Sequence, residues 1–350
     1  YTLSLHDALP IYTGHTPVEM YAGVNIEALS PYLYFSRDNG KACIDCQATA
    51  IKNASLVNFV GRKFLHELIE DHFLDRPVIS YSIRQEIKEK FYQGSTLSIM
   101  NAPSKRIYPE QCPYLVQPYG PEDEVLAAKQ RSRVEFQRRT GLMVNPEAIL
   151  LYWPSRLDPA QKGIELLEDI ALKFVIEHGD VQIAVVADGI SGDRSHEEIM
   201  GRIACASAGK ITYQRFNESL SLLGYAAASD VFGASLYEPC GQIDQIGNLY
   251  GTTATNRDTG GYHDKIGELE LKDDGFPCDE GNGFLFRDYD AGGLWYGLEK
   301  SVCFHRRPPE IRERQLIRIM KETRVKYDVG KMIDRYIGIY EKLNGGEPLA

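Results

Sequence analysis

The stretch at 238–261, reading E-P-C-G-Q-I-D-Q-I-G-N-L-Y-G-T-T-A-T-N-R-D-T-G-G, limits the possible folds more than any other part of the chain. Residues 230–234 before it are a short apolar run that ends a buried strand. Glu238-Pro239-Cys240-Gly241 then makes a tight turn, and 242–250 forms a helix. Residues 252–255 are β-branched and strand-like, and Thr259-Gly260-Gly261 is a second turn. Two strand-to-turn steps this close place two sets of free backbone N–H groups beside one crevice. With the positive end of a helix dipole, such groups suit a phosphate or the hydroxyls of a sugar. Glu238 adds a carboxylate at the mouth.

A second dense motif, S-R-L-D-P-A-Q-K-G at 155–163, directly follows an apolar run at 148–153. That run reads as a parallel strand buried on both faces. Arg156 offers a bidentate fork and Lys162 a point charge, the two usual devices for neutralising a diphosphate. Taken alone, the motif reads more readily as a solvated basic loop. Beside the E-P-C-G turn it reads as the cationic side of an anion site.

In order and spacing, E-P-C-G, Y-G-T and T-G-G resemble the donor-binding region of bacterial glycogen and starch synthases. The S-R-L…Q-K-G loop resembles theirs with one extra residue before Gln161, and V-I-S-Y-S-I-R-Q-E-I at 78–87 is similar to their V-S-P-x-Y-x-x-E-I segment. The likeness is close over about 145–343 and loose before that. It implies an α/β chain of GT-B type: two Rossmann-like doubly wound domains facing a cleft, the first of them incomplete. It also implies a retaining glycosyltransferase that moves glucose from ADP-glucose to the non-reducing 4-OH of an α-1,4-glucan, with no metal and no other cofactor. By the same resemblance Arg156 and Lys162 hold the ADP pyrophosphate and stabilise charge on the departing phosphate. Glu238 contacts the donor glucose, supported by the N–H groups of Cys240 and Gly241. Thr259, Gly260 and Gly261 wrap the distal phosphate. Phe216 stands where the family usually has Tyr and stacks on adenine, unless it is a core aromatic. Asp188-Gly189 matches a glycine-containing crevice loop. Departures are Asn101-Ala102-Pro103 where the family reads N-G-[IV], Asp244 where Gln is usual, Ile246 where Tyr is usual, and Asp258 where Arg is commoner. Two rival readings stay open: a GT-B transferase using another nucleotide sugar or acceptor, and a non-catalytic glucan-binding relative.

The 350 residues suffice for two domains, and a formal charge of −10 disfavours nucleic acid or an anionic membrane as partner. No apolar run approaches the roughly 18 residues of a membrane span, and seven scattered cysteines fit a reducing cytoplasm. The lone Cys43-x-x-Cys46 lacks a second ligand pair and reads as two packing cysteines. Residues 1–11 have no initiating Met and look like a translated adapter, set aside from fold reasoning. The expectation is a first domain truncated upstream, leaving 56–60 near an uncovered sheet edge and this chain inactive by itself. His15 then stands in for an active-site histidine only if that residue does not lie further upstream.

The domain plan is a first-domain remnant at 12–104, a linker and connecting helix at 105–144, a nucleotide-sugar domain at 145–325 and a returning helix at 326–350. Within the remnant, 41–54 suits a packed helix, 77–80 a strand, and Ser82 the cap of a helix to Tyr92. The four prolines of 105–121 indicate a hinge, and 122–139 a helix capped at Gly141. From 148 onward strands at 148–153, 181–187 and 210–213 alternate with helices at 163–177, 195–206 and 219–228. Residues 262–282 read as a loop over the crevice. After it come a strand at 283–286 and helices at 289–304 and 328–343.

Overall fold

The computed structural model describes residues 2–4, 15–17, 26–38, 41–70, 72–73, 76–190, 194–269 and 280–345. The chain divides into two compact units, Tyr1–Met100 with Ile333–Ala350, and Asn101–Met332.

In the first unit the elements run β1 (Thr2–Ser4), β2 (His15–Pro17), α1 (Ile26–Leu29), β3 (Phe35–Asp38), β4 (Lys41–Asp45), α2 (Cys46–Asn53), β5 (Leu56–Phe59), α3 (Arg62–Ile69), α4 (Tyr81–Tyr92) and β6 (Thr96–Ser98). They form a parallel sheet in the order β1-β5-β6 and an antiparallel one in the order β2-β4-β3. Three expectations are corrected here. Residues 41–45 are a strand, paired on both sides, and Asp45 caps α2 by accepting from the Ala48 N–H at 2.9 Å. Alanine content favoured helix, but sheet pairing and a polar cap settle where it starts. Residues 77–80 are bends, and the cap of α4 is Ser80, which accepts from Ile83 N–H. Ser82 instead donates to the Asp45 carboxylate. Finally, β1 lies in the stretch set aside as adapter and pairs with β5, which makes 56–59 the middle strand rather than an edge.

The second unit runs α5 (Val125–Thr140), β7 (Ile149–Trp153), α6 (Ile164–Glu177), β8 (Val181–Val186), α7 (Ser195–Ala206), β9 (Ile211–Gln214), α8 (Glu218–Ala227), β10 (Asp230–Gly233), α9 (Ile243–Leu249), β11 (Thr253–Arg257), α10 (Gly260–Lys265), β12 (Gly283–Phe286), α11 (Ala291–His305), α12 (Pro309–Lys326) and the start of α13 (Val329–Gly345). Six parallel strands lie in the order β12-β11-β10-β7-β8-β9. Successive side chains of a strand point to opposite faces, and β7 shows it plainly. Leu150 and Tyr152 join one core with Phe136, Leu223, Tyr250 and Met320, while Ile149, Leu151 and Trp153 join the other with Phe174, Phe232 and Leu298. Both faces are thus covered by helices, as an all-parallel sheet requires.

Here too the expectations need amendment. The proline-rich stretch 105–121 is no free hinge. Its Tyr108, Cys112, Leu115 and Tyr119 are buried in the first of these cores, and the Tyr119 hydroxyl donates to the Tyr250 carbonyl at 2.8 Å. Prolines prevent regular hydrogen bonding there, but aromatic side chains still pack. Helix α12 has no counterpart in the sequence reading, because its charged surface hides a stripe of Leu316, Ile319, Met320 and Thr323. The expected loop at 262–282 begins as helix, and 270–279, with Asp273-Asp274, lie outside the described residues. Among the described residues no helix is long and apolar enough to cross a membrane.

Candidate functional site

The strand order places its reversal between β7 and β10, so the loops leaving those two strands diverge and open a crevice at their carboxyl ends. The loop after β7 carries Arg156 and Lys162, and the loop after β10 carries Glu238. Folding joins them directly: Leu236 N–H donates to the Gln161 carbonyl at 2.8 Å. Lys162 Nζ lies 2.5 Å from Glu238 Oε2.

Glu238 is 5% exposed, and its carboxylate also accepts from Ser235 Oγ at 3.1 Å and from Gly241 N–H at 3.1 Å. Burial by itself would raise this carboxyl; the Lys162 ammonium, the Ser235 hydroxyl and Lys265 outweigh it and hold the group below its ordinary value. Glu238 is therefore an anion at neutral pH. The Cys240 thiol is pushed up to about 11 by burial, which leaves it protonated and unreactive, so this residue can serve only through its backbone.

Thr259-Gly260-Gly261 is the start of α10 rather than a free turn, with Thr259 in the cap position. It docks on the E-P-C-G turn: Gly261 N–H donates to the Glu238 carbonyl at 2.8 Å. Gly260, at φ +45°, comes so close that a Cβ there would sit 1.9 Å from the Glu238 carbonyl oxygen. Gly241, at φ +63°, lies against the Tyr262 ring, 2.3 Å from where a Cβ would stand. No other residue type fits either place.

Arg156 is the exposed partner. Its side chain is 55% exposed, held 2.8 Å from Gln161 Oε1 and 3.3 Å from Asp158 Oδ2, while Asp158 also organises the loop by accepting from the N–H groups of Ala160 and Gln161. The remaining two candidates lie together after β8 and β9. Gly189 bridges to Leu157, its N–H donating to Glu197 Oε1 at 3.2 Å. Phe216 is half exposed, so it is not a core aromatic, and its N–H donates to Asp188 Oδ1 at 3.2 Å. All ten candidates thus sit on loops or helix starts that follow five of the six strands.

Sequence reasoning missed three residues that shape this site. Arg257, at the end of β11, donates to the carbonyls of Leu236 at 2.7 Å and Arg287 at 3.1 Å, and its guanidinium stacks over Tyr289. Tyr262 forms the floor under Gly241. Lys265 is buried and paired with Asp244 at 2.6 Å. The departures at 244 and 246 are accounted for by this packing: Asp244 faces Lys265, and Ile246 packs against the apolar core rather than the crevice. The backbone N–H groups expected to be free are engaged within the site, Gly241 by Glu238 Oε1, Thr259 by the Arg257 carbonyl and Gly261 by the Glu238 carbonyl. Two cations beside one buried carboxylate can still hold a polyanion next to a hydroxyl-rich group.

No protein-family model matches the chain. It is 28% identical over 278 residues to a glycogen synthase of Geobacillus thermodenitrificans, an alignment covering 76% of this chain and 54% of that protein. To a glycogen synthase of Pseudothermotoga lettingae it is 30% identical over 215 residues, covering 61% of this chain and 41% of that one. The chain therefore spans about half the length of the curated relatives it matches. Among solved structures, the catalytic domain of starch synthase IV from Arabidopsis thaliana, bound to ADP and acarbose, superposes with a TM-score of 0.77 at 22% identity, covering 95% of this chain and 64% of that one. Sucrose-phosphate synthase from Thermosynechococcus elongatus superposes with a TM-score of 0.57 at 16% identity, covering 86% and 61%.

Proposed function

From the premise that the chain is a homologue of the glycogen synthases and has the α/β fold of the GT-B glycosyltransferases, we propose that it carries the nucleotide-sugar site of a retaining glucosyltransferase. That enzyme moves glucose from ADP-glucose to the non-reducing end of an α-1,4-glucan in the cytoplasm. The observation that carries the reading is the meeting of Lys162, Glu238 and Arg156 at the reversal point of the sheet. The ADP bound to the starch synthase IV neighbour favours an adenine nucleotide as the leaving group.

In this reading each residue meets a different part of the donor. Leaving-group departure builds negative charge on the diphosphate and positive character at the sugar ring. Arg156 exchanges Gln161 and Asp158 for phosphate oxygens, which its exposure allows. Lys162 supplies a second positive charge from a site already desolvated, where it counts for more. Glu238, ionised and held by Ser235 and Gly241, accepts from sugar hydroxyls. The start of α10 borders the distal phosphate through Thr259, its Thr259 and Gly261 N–H groups being engaged by the Arg257 and Glu238 carbonyls, and Phe216 presents a flat apolar surface to the base.

The test is incubation with ADP-glucose or UDP-glucose, separately, and glycogen as primer, following glucose incorporation. Transfer from ADP-glucose is expected of a version extended to the length of its glycogen synthase relatives, and little or none of the 350 residues by themselves. Transfer from UDP-glucose alone would replace the donor, and glycogen binding without nucleotide release would replace the enzyme with a glucan-binding protein.

A further inference from the structure

We propose that Asp244 and Lys265, a buried ion pair beneath the E-P-C-G turn, are positioning residues: they lock the two glycine turns into one body and so fix the Glu238 carboxylate. The proposal rests on Glu238 being the sugar-contacting group. Both side chains are 1% exposed, and Lys265 Nζ lies 2.6 Å from Asp244 Oδ1. The same ammonium donates to the Gly241 carbonyl and lies 5.5 Å from the centre of the Tyr262 ring.

These contacts form a closed circuit. Lys265 holds the C=O of Gly241, and the N–H of Gly241 holds Glu238 Oε1. Gly261, four residues before Lys265 on α10, holds the Glu238 carbonyl. Asp244 closes the circuit from α9, directly after the turn. Two apolar side chains would fill this space at lower desolvation cost. What they could not supply is a directed bond to the Gly241 carbonyl. The pair therefore contributes geometry rather than bulk stability. Lys265 also places positive charge near Glu238, which helps keep that carboxyl ionised. The other titratable groups around the pair include Tyr225, Cys240, Tyr262, Lys326 and Tyr327.

Two variants of the 350-residue chain separate positioning from mere support. Lys265→Met removes the charge and the bond to Gly241. Asp244→Asn removes the carboxylate charge but keeps Lys265. The readouts are the titration of the Glu238 carboxyl carbon by NMR, assigned with Glu238→Gln, and hydrogen exchange at the Gly241 amide; neither needs transfer activity. In Lys265→Met the Glu238 midpoint should move up and Gly241 exchange should quicken roughly tenfold or more. In Asp244→Asn the midpoint should stay or move down, because a neighbouring negative charge is lost. Simple loosening would move the Glu238 midpoint the same way in both variants, and that result, or no change of midpoint and exchange in either, would overturn the proposal. Should Lys265→Met fail to fold, the exchange rate in Asp244→Asn decides, with faster exchange supporting the proposal and an unchanged rate overturning it. If neither folds, the pair is a structural requirement and the positioning role is rejected. Where transfer is measurable, kcat should fall in Lys265→Met with KM for ADP-glucose little changed. A version extended to the length of its relatives but silent with every nucleotide sugar would refute the functional reading without touching the NMR result.

Discussion

At the amino ends of the strands, Lys129 is sunk among neutral acceptors. Its ammonium reaches the carbonyls of Ala226 at 3.2 Å and Tyr250 at 3.1 Å and the Thr252 hydroxyl at 2.6 Å, and among the described residues no carboxylate pairs with it. Arg133 beside it does likewise, donating to the carbonyls of Ala227 and Pro146 and to Ser229. These two cations close the carboxyl end of α8, where carbonyls lack partners and the helix dipole is negative. Burial, then the neighbouring Arg133, pushes Lys129 well below its ordinary value, and burial with Arg312 takes Arg133 down to about 10. At the carboxyl ends of the same sheet, Lys162 and Lys265 are instead paired with carboxylates. Charge held by carbonyls belongs to the scaffold and cannot be released without unfolding. Charge held by a carboxylate at a crevice, as at Lys162, can change partner when an anion arrives.

The sharpest way to break this contrast is to remove cations at the crevice. In a version extended to the length of its relatives, Arg156→Ala and Lys162→Ala should each reduce turnover roughly 10²–10³-fold with glucan binding largely kept, because the charge they meet is greatest in the transition state. A variant above about half of wild-type turnover would return that residue to the solvated-loop reading. Glu238→Gln should cost on the order of 10²-fold while circular dichroism stays native; normal turnover would remove Glu238 from the site.

At the other end the expectation reverses. Lys129→Met should cost about 1–3 kcal/mol of stability in denaturant titration, since orphaned carbonyls remain and relief of a buried charge offsets only part of the loss. Turnover per folded molecule should be unchanged, and a stable but inactive variant would contradict the division of roles. The last effect shows only as a pH dependence and concerns Asp230, at the start of β10, whose carboxyl burial raises to about 7 while the Thr253 hydroxyl opposes it. Its folded form binds protons more tightly than the unfolded chain. Its stabilising contribution is full below about 3.8 and is lost as pH rises through about 7, by at most about 1.4 kcal/mol per pH unit. Asp230→Asn should therefore gain in Tm relative to wild type between pH 5 and pH 8. A constant difference would show that the carboxyl titrates normally.

The same contrast explains what could be read from the sequence. The strand at 149–153 announces itself because burial on both faces demands an uninterrupted apolar run, that at 181–186 is broken only by the buried, hydrogen-bonded Gln182, and Gly141 marks the end of α5 with a left-handed backbone. Arg156, Lys162 and Glu238 were legible because each sits in a short local pattern. Asp244 and Lys265 were not, since their meaning lies in a contact across 21 residues. For the same reason Lys129 read as one more charge on a charged helix. Nor could local pattern reveal 41–45, which is a strand only because β2 and β3 lie on either side of it.

The docking of α10 on the E-P-C-G turn has a consequence for how the site behaves on heating. Gly260 leaves no room for the two turns to slide, and Gly261, Lys265 and Tyr262 each grip the other turn from a different residue. Neither turn can fray while the other holds, and both are continuous with buried strands β10 and β11. The site should accordingly share the cooperative melting of the whole sheet instead of softening first, as active-site loops commonly do. The ordering entropy a ligand would otherwise have to supply has then been met during folding.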